Sequence, residues 1–368
     1  MKWKKELGGM RPYKPGRSIE EVMQDYGLTE VHKLASNENP YGCAPSVKEF
    51  IREGLLHPEI YPEGHAGGLR TKLANKHQVG EDFLLFGNGS DEIVSIISRS
   101  LLGPDTNTIM ATPTFPQYAH NAKVEGAEVR ELPLVEGQHD LDGFLKAIDE
   151  NTSVIWVCNP NNPTGNIIPA GVLESFLAQV PDHILVVLDE AYFEYITEPS
   201  HVDSIQLIDK FPNILILRTF SKAYGLAAFR VGYAVGQPAI ITELNKVRNP
   251  FNNNTLGTAV VEKALEDEQF IANCREMNHV QRERFKEFAE ANDLDIFDSQ
   301  ANFVLIQVPA DADEASEYLL QYGYIVRSGN ALGTPGYVRV TVGSEEQNNG
   351  FFQAMSALIS EKGRHPVK

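Results

Sequence analysis

Cysteine is scarce in this chain of 368 residues: Cys43, Cys158 and Cys274 stand far apart, with no C-x-x-C and no H-E-x-x-H pattern. Neither a disulfide framework nor a structural zinc site is expected. The ten histidines are scattered, and even the pair His57 and His65 reads as solvated or packed side chains, so no metal is expected. No uninterrupted run of about 18 apolar residues occurs, so no membrane span is expected. Basic blocks are missing too, and the formal net charge of -18 repels phosphodiester backbones at long range. Nucleic acid is therefore not an expected partner. The basic start Met1-Lys2-Trp3-Lys4-Lys5-Glu6 runs into Leu-Gly-Gly-Met-Arg-Pro, without the apolar core of a secretory signal, and a cytoplasmic protein is expected. Neither G-x-G-x-x-G nor G-x-x-x-x-G-K-[ST] is found, which leaves no dinucleotide fingerprint and no Walker A loop.

What is present is the composition of a globular protein, 42% hydrophobic and 22% charged, in a chain long enough for two domains. From about Asp82, short β-rich runs alternate with helical stretches. The runs are 83–86, 108–111, 154–157, 184–188 and 214–217; the helical candidates are 91–102, 117–125, 141–148 and 169–179. Continuous apolar strands joined by helices predict an α/β fold with a mostly parallel sheet covered on both faces. After Pro250-Phe251-Asn252-Asn253-Asn254 the pattern changes to a long helical region, about 257–292. Strands at 303–308, 324–327 and 338–342, with helices at 315–322 and 347–359, then predict a smaller α+β domain. The arm Arg11-Pro12-Tyr13-Lys14-Pro15-Gly16 cannot be regular helix. The expected division is 1–50 for the arm and part of the small domain, 51–254 for the large domain and 255–368 for the small one.

In such sheets ligands gather outside the carboxyl ends of the strands, so the strand ends carry the functional signal. Lys222 follows the apolar run Ile214-Leu215-Ile216-Leu217 within Thr219-Phe220-Ser221-Lys222-Ala223-Tyr224-Gly225. An amine held there loses hydration, which lowers its pKa and frees the lone pair for a carbonyl; the alternative is a solvated loop lysine. Asp189 closes the run before it and seeks a cationic partner, as a helix cap, in an ordinary ion pair or in a site. Gly87-Asn88-Gly89-Ser90-Asp91-Glu92 opens a helix whose free N–H groups suit either a phosphate or a plain cap. Cys158-Asn159-Pro160-Asn161-Asn162-Pro163-Thr164-Gly165 is an amide-dense turn. A carboxylate, a phenol, an amide, an anion-binding helix start, a lysine and Arg230 together fit a pyridoxal phosphate site.

Ser221-Lys222-Ala223-Tyr224-Gly225-Leu226-Ala227 with Arg230, Asn159 to Gly165, and Asp189-Glu190-Ala191-Tyr192 resemble the fold-type I pyridoxal-phosphate-dependent aminotransferases. Within that group, Leu34-Ala35-Ser36-Asn37-Glu38-Asn39-Pro40, Tyr61-Pro62, Gly87 to Glu92 and Tyr337-Val338-Arg339-Val340-Thr341-Val342-Gly343 are similar to the histidinol-phosphate aminotransferase family. The likeness runs from Arg11 to the C-terminal helix. It implies pyridoxal 5'-phosphate held by Lys222, which also moves the proton. Asp189 would pair with the ring nitrogen, Asn162 and Tyr192 would bond the ring oxygen, and Tyr118 would stack on the ring. Ser90, Asp91, Ser221 and Arg230 would hold the phosphate, with Tyr61 arriving from the second subunit of a homodimer. For substrate, the resemblance implies Arg339 on a carboxylate, Arg327 on a phosphate, and Tyr13, Asn37 and Tyr61 nearby. Ala228-Phe229 depart from the family's usual Gly-Leu pair. The implied reaction moves an amino group from histidinol phosphate to 2-oxoglutarate. An aromatic amino-acid aminotransferase, or an enzyme with both activities, is the alternative. A decarboxylase of a phosphorylated amino acid and a catalytically silent cofactor-binding regulator stand further off.

Overall fold

The computed structural model describes residues 1–10, 12, 16–54, 57 and 59–362. Its strands in chain order are β1 (His32–Lys33), β2 (Leu84–Asn88), β3 (Asn107–Thr112), β4 (Glu128–Pro133), β5 (Thr152–Cys158) and β6 (Leu185–Asp189). They continue as β7 (Ile214–Thr219), β8 (Val231–Gly236), β9 (Phe303–Gln307), β10 (Tyr324–Ile325), β11 (Arg327–Ser328) and β12 (Tyr337–Thr341). Seven form one sheet in the order β2-β8-β7-β6-β5-β3-β4. Pairings from β7 across to β4 are parallel, while β8 runs against both its neighbours. The expected α/β architecture is therefore what the chain adopts.

Burial on both faces explains the unbroken apolar runs. Along β6 and β7, Val186, Leu188, Ile214 and Ile216 pack into one core, and Leu185, Val187, Leu215 and Leu217 into the other. Each such side chain, fully buried, contributes about 1.5–3 kcal/mol relative to exposure. Two strands of this sheet escaped the sequence reading. Edge strand β4, Glu-Val-Arg-Glu-Leu-Pro, is half exposed and charged, and β8 is interrupted by Gly232 and Gly236. Neither shows a continuous apolar run.

The smaller domain carries a three-stranded antiparallel sheet, β11-β12-β9, with β1 and β10 paired beside it. The expected strand 324–327 is two, because Tyr324–Ile325 pairs with β1 and Arg327–Ser328 with β12. The long helical region is also two helices, Thr255–Ala264 and Glu268–Ala291, the second capped by Asp267 accepting from Phe270 N–H. A helix not anticipated, Ile19–Tyr26, begins with a reciprocal Ser18–Glu21 capping box. Its Val22 packs with Val31, Leu320 and Ile325. Packing departs from the expected boundaries at both ends of the large domain: Val47, Val260, Val261 and Ala264 lie in a core of the seven-stranded sheet. Among the described residues, no helix is long and apolar enough to cross a membrane.

Candidate active site

Sheet direction gathers the polar residues. The parallel strands end at Cys158, Asp189 and Thr219, and β8, running the other way, begins at the same edge just after Arg230. There Asn88 is opposite Val231, and Thr219 is opposite Gly232. Gly232 is required by a close approach, since a Cβ on it would lie 2.4 Å from the Ser90 nitrogen. Gly89, at φ +77°, likewise leaves room for Arg230, whose Nη2 would be 2.5 Å from an added Cβ. The result is a cradle formed by the start of the helix Ser90–Leu101, Ser221 and Arg230. Arg230 reaches Asp91 Oδ2 at 3.5 Å and donates to the Ala227 carbonyl at 3.0 Å. Ser221 accepts from the Thr219 hydroxyl at 3.0 Å. N–H groups at a helix start and a guanidinium make this a place for an anion. The Asp91 carboxylate would repel one, so its contribution to an anion is its N–H.

Asp189 is 4% exposed. It accepts from the Tyr118 hydroxyl at 2.6 Å and from Ala191 N–H at 3.2 Å. Among the described residues no lysine, arginine or histidine is ion-paired to it, and burial pushes its carboxyl up to about 6. Lys222 Nζ donates to the Ser36 carbonyl at 3.1 Å and lies 5.7 Å from the centre of the Tyr192 ring. Burial, aided by the positive charge of Arg339, lowers its pKa to about 8, so about a tenth is the nucleophilic free amine at pH 7, far more than for an ordinary lysine. Gly225, at φ +69°, lets this loop press against Gly42, whose carbonyl oxygen would be 1.9 Å from an added Cβ.

The amide-dense turn divides its labour. Asn159 Oδ1 accepts from Ile168 N–H, and Asn161 holds Thr114 and Thr164, so both staple the turn. Asn162 instead accepts from Arg339 Nη1 at 2.6 Å. Arg339 also donates to the Ala35 carbonyl at 2.7 Å, and Arg327 is its register partner on the next strand.

Two expectations change. Tyr118 is fully buried, its ring stacked on Trp156 at 4.8 Å and its hydroxyl on Asp189, so it has no face to offer a second ring. Phe115, half-buried and edge-on to Tyr118 at 5.4 Å, is the aromatic side chain nearby. Asn37 is 2% exposed with its side chain bonded to Tyr192 and Thr341, and holds protein groups rather than a ligand. Tyr61 is 79% exposed and stacked on Phe251 at 5.0 Å. Tyr13 lies outside the described residues. Ala228 is exposed and Phe229 packs at the edge of the core, so the departure after the lysine is accommodated.

Sequence reasoning missed a buried ion cluster beneath the site. Arg218 pairs with Glu190 at 2.8 Å and Asp203 at 2.6 Å and lies over the Phe193 ring at 3.5 Å. Asp189 and Glu190 are neighbours on opposite faces, and the alternation of β6 could have shown it. All three cysteines are free, and no group of metal-binding side chains occurs among the described residues.

Residues 29–355 match the aminotransferase class I and II family. Histidinol-phosphate aminotransferase of Lysinibacillus sphaericus (strain C3-41) is 54% identical over 363 residues, 99% of each chain. The same enzyme of Bacillus subtilis (strain 168) is 49% identical over 360 residues, 98% of this chain and all of that one. Among solved structures, histidinol-phosphate aminotransferase from Sinorhizobium meliloti in complex with pyridoxal-5'-phosphate superposes with a TM-score of 0.88 at 26% identity, covering 98% of both chains. With a family match across most of its length and relatives identical at about half their positions, the chain belongs to the class I and II aminotransferases.

Proposed function

We propose that the protein uses pyridoxal 5'-phosphate to move the amino group of L-histidinol phosphate to 2-oxoglutarate, giving imidazole-acetol phosphate and L-glutamate. The residues fit that cofactor. A buried carboxylate with no cationic partner among the described residues suits a ring nitrogen that must stay protonated, the glycine-lined cradle suits a phosphate, and a lysine of lowered pKa suits an aldehyde. When bound, the cofactor supplies that aldehyde and a ring able to hold the electrons released from a Cα–H bond.

The protein supplies the rest. Ser90 and Asp91 N–H, Ser221 and Arg230 bind the phosphate, and Asp189 keeps the proton on the ring nitrogen. Asn162 Nδ2 and the Tyr192 hydroxyl donate to the ring oxygen. Lys222, once its amine is free, would take the proton from the substrate Cα and return it two atoms away, to the carbon beyond the nitrogen. Arg339 clamps the carboxylate of glutamate or 2-oxoglutarate with a planar fork, and Arg327 meets the phosphate of histidinol phosphate.

The observation that carries this reading is the pairing of Arg327 with Arg339 across adjacent strands, two cations for two anionic substrates that take turns in one site. The relatives named above support the same substrate. We place the reaction in a cytoplasmic homodimer in the service of histidine biosynthesis. Exposed Tyr61 and Phe251 support a second copy that carries Tyr61 to the neighbouring cradle. Steady-state kcat/KM for histidinol phosphate against phenylalanine and tyrosine tests the assignment. A ratio favouring phenylalanine would hand it to an aromatic aminotransferase, and carbon dioxide release without a keto product to a decarboxylase.

A further inference from the structure

Asn37 lies at the centre of a closed polar knot that ties its own segment to three other stretches of chain. Its backbone is at φ +56°, a left-handed conformation that asparagine tolerates better than most residues. Its N–H donates to Thr341 Oγ1 at 2.9 Å, and the Thr341 hydroxyl donates back to Asn37 Oδ1 at 3.1 Å. Asn302 Nδ2 donates to the Asn37 carbonyl at 3.0 Å. The remaining group, Asn37 Nδ2, donates to the Tyr192 hydroxyl oxygen at 3.0 Å.

The knot has a direction. Thr341 has one hydroxyl proton, and because its oxygen already accepts from a backbone N–H, that proton goes to Asn37 Oδ1. Oδ1 is thereby an acceptor, and Nδ2 is turned toward Tyr192. A phenol that accepts from an amide keeps its own proton for another partner. Tyr192 itself is held edge-on against Phe303 at 5.0 Å, with Lys222 Nζ 5.7 Å from its ring centre.

We infer that Asn37 is a positioning residue: it orients the Tyr192 hydroxyl as a donor toward the ring oxygen of the cofactor. Through Thr341, two residues beyond Arg339 on β12, it also ties that donor to the strand of the substrate clamp. This rests on pyridoxal phosphate being the cofactor. Donation from Tyr192 draws negative charge from the ring oxygen and makes the adjoining nitrogen, the one contributed by Lys222, less basic. Loss of orientation therefore raises the pH at which the bound cofactor changes colour.

The test is the pH midpoint of the visible absorbance of the holoenzyme. Asn37→Gly removes the side chain while keeping the positive φ at no steric cost. Thr341→Val is a near-isosteric second variant, and each is made alone and with Tyr192→Phe. Tyr192→Phe is expected to raise the midpoint by about one pH unit, the scale of one hydrogen bond to a charged oxygen. Asn37→Gly should raise it by roughly half a unit, and Thr341→Val in the same direction by less. Neither should add to Tyr192→Phe. A wild-type midpoint in both single variants, or equal shifts with and without the Tyr192 hydroxyl, would overturn the inference. Should Asn37→Gly not fold, Thr341→Val decides alone, and no shift in it overturns the inference. A wild-type protein that gains no visible absorbance with pyridoxal phosphate would overturn the cofactor reading, and this inference with it.

Discussion

Arg339 Nη1 donates to Asn162 Oδ1 at 2.6 Å within the protein, and that bond decides which way the asparagine amide faces. With Oδ1 taken, Nδ2 is the group left for a ligand. The arginine assigned to the substrate carboxylate and the amide assigned to the cofactor thus form one hydrogen-bonded unit. Its charge also reaches Lys222, as the second cause, after burial, of the lowered amine pKa.

Two variants separate these effects. Arg339→Lys keeps the charge but loses the fork, so kcat/KM for 2-oxoglutarate should fall roughly 10²-fold, the loss of one or two charge-assisted hydrogen bonds. In cofactor-free protein the rate of absorbance gain on adding pyridoxal phosphate should still rise through about pH 8, where Lys222 loses its proton. Arg339→Met removes a positive charge that favours the free amine, so the same curve should move to higher pH. An unmoved curve would show that the charge is screened from the lysine.

Asp189→Asn sets function against stability. The carboxyl is raised by burial to about 6 in the folded chain, above its ordinary 3.8. Ionising it therefore costs folding free energy, absent below about pH 4 and complete above about pH 6, up to about 3 kcal/mol in cofactor-free protein. Cofactor-free Asp189→Asn should melt at a higher temperature than the wild type at pH 8, with the gain fading toward pH 4. Turnover should drop at least ~10²-fold, because the ring nitrogen loses its buried anionic partner. Calorimetry across pH checks the first expectation, and a variant no more stable at pH 8 would contradict it.

Much of this was readable beforehand, for a physical reason. Lys222, Asp189 and Asn162 each follow a continuous apolar strand, and polar groups at such ends stand out against what precedes them. The roles of Tyr118 and Asn37 were not readable, because they depend on what lies across the chain. Tyr118 meets Trp156 and Asp189, 38 and 71 positions away, and Asn37 meets Thr341, 304 positions away. Strands β4 and β8 were lost because an exposed charged edge and a glycine-interrupted run carry weak periodic signals. The helix Ile19–Tyr26 was signalled by Ser18-x-x-Glu21 and overlooked beside the proline-rich arm.

Gly232→Ala tests the cradle. The added methyl would meet the Ser90 nitrogen at 2.4 Å, so the strand or the helix start must shift. Pyridoxal phosphate affinity should weaken at least about tenfold, near 1.4 kcal/mol, in an equilibrium titration. Unchanged affinity would place the phosphate elsewhere.

Tyr61 and Phe251 bear on assembly. Wild-type protein should sediment at twice the chain mass of 40.9 kDa. A charge at the exposed stack, Phe251→Asp, should shift it toward monomer and weaken cofactor binding about tenfold, since a charge buried in an interface is unpaired. A wild-type monomer with full cofactor affinity would rule out a cradle completed by a second copy.

The most direct test is a visible-absorbance titration of the pyridoxal-phosphate-loaded protein with L-histidinol phosphate, followed by 2-oxoglutarate. The lysine-bound absorbance should disappear with one equivalent of the first, in step with keto product, and return with the second as glutamate forms. No change with histidinol phosphate, alongside a full cycle with phenylalanine, would contradict the account.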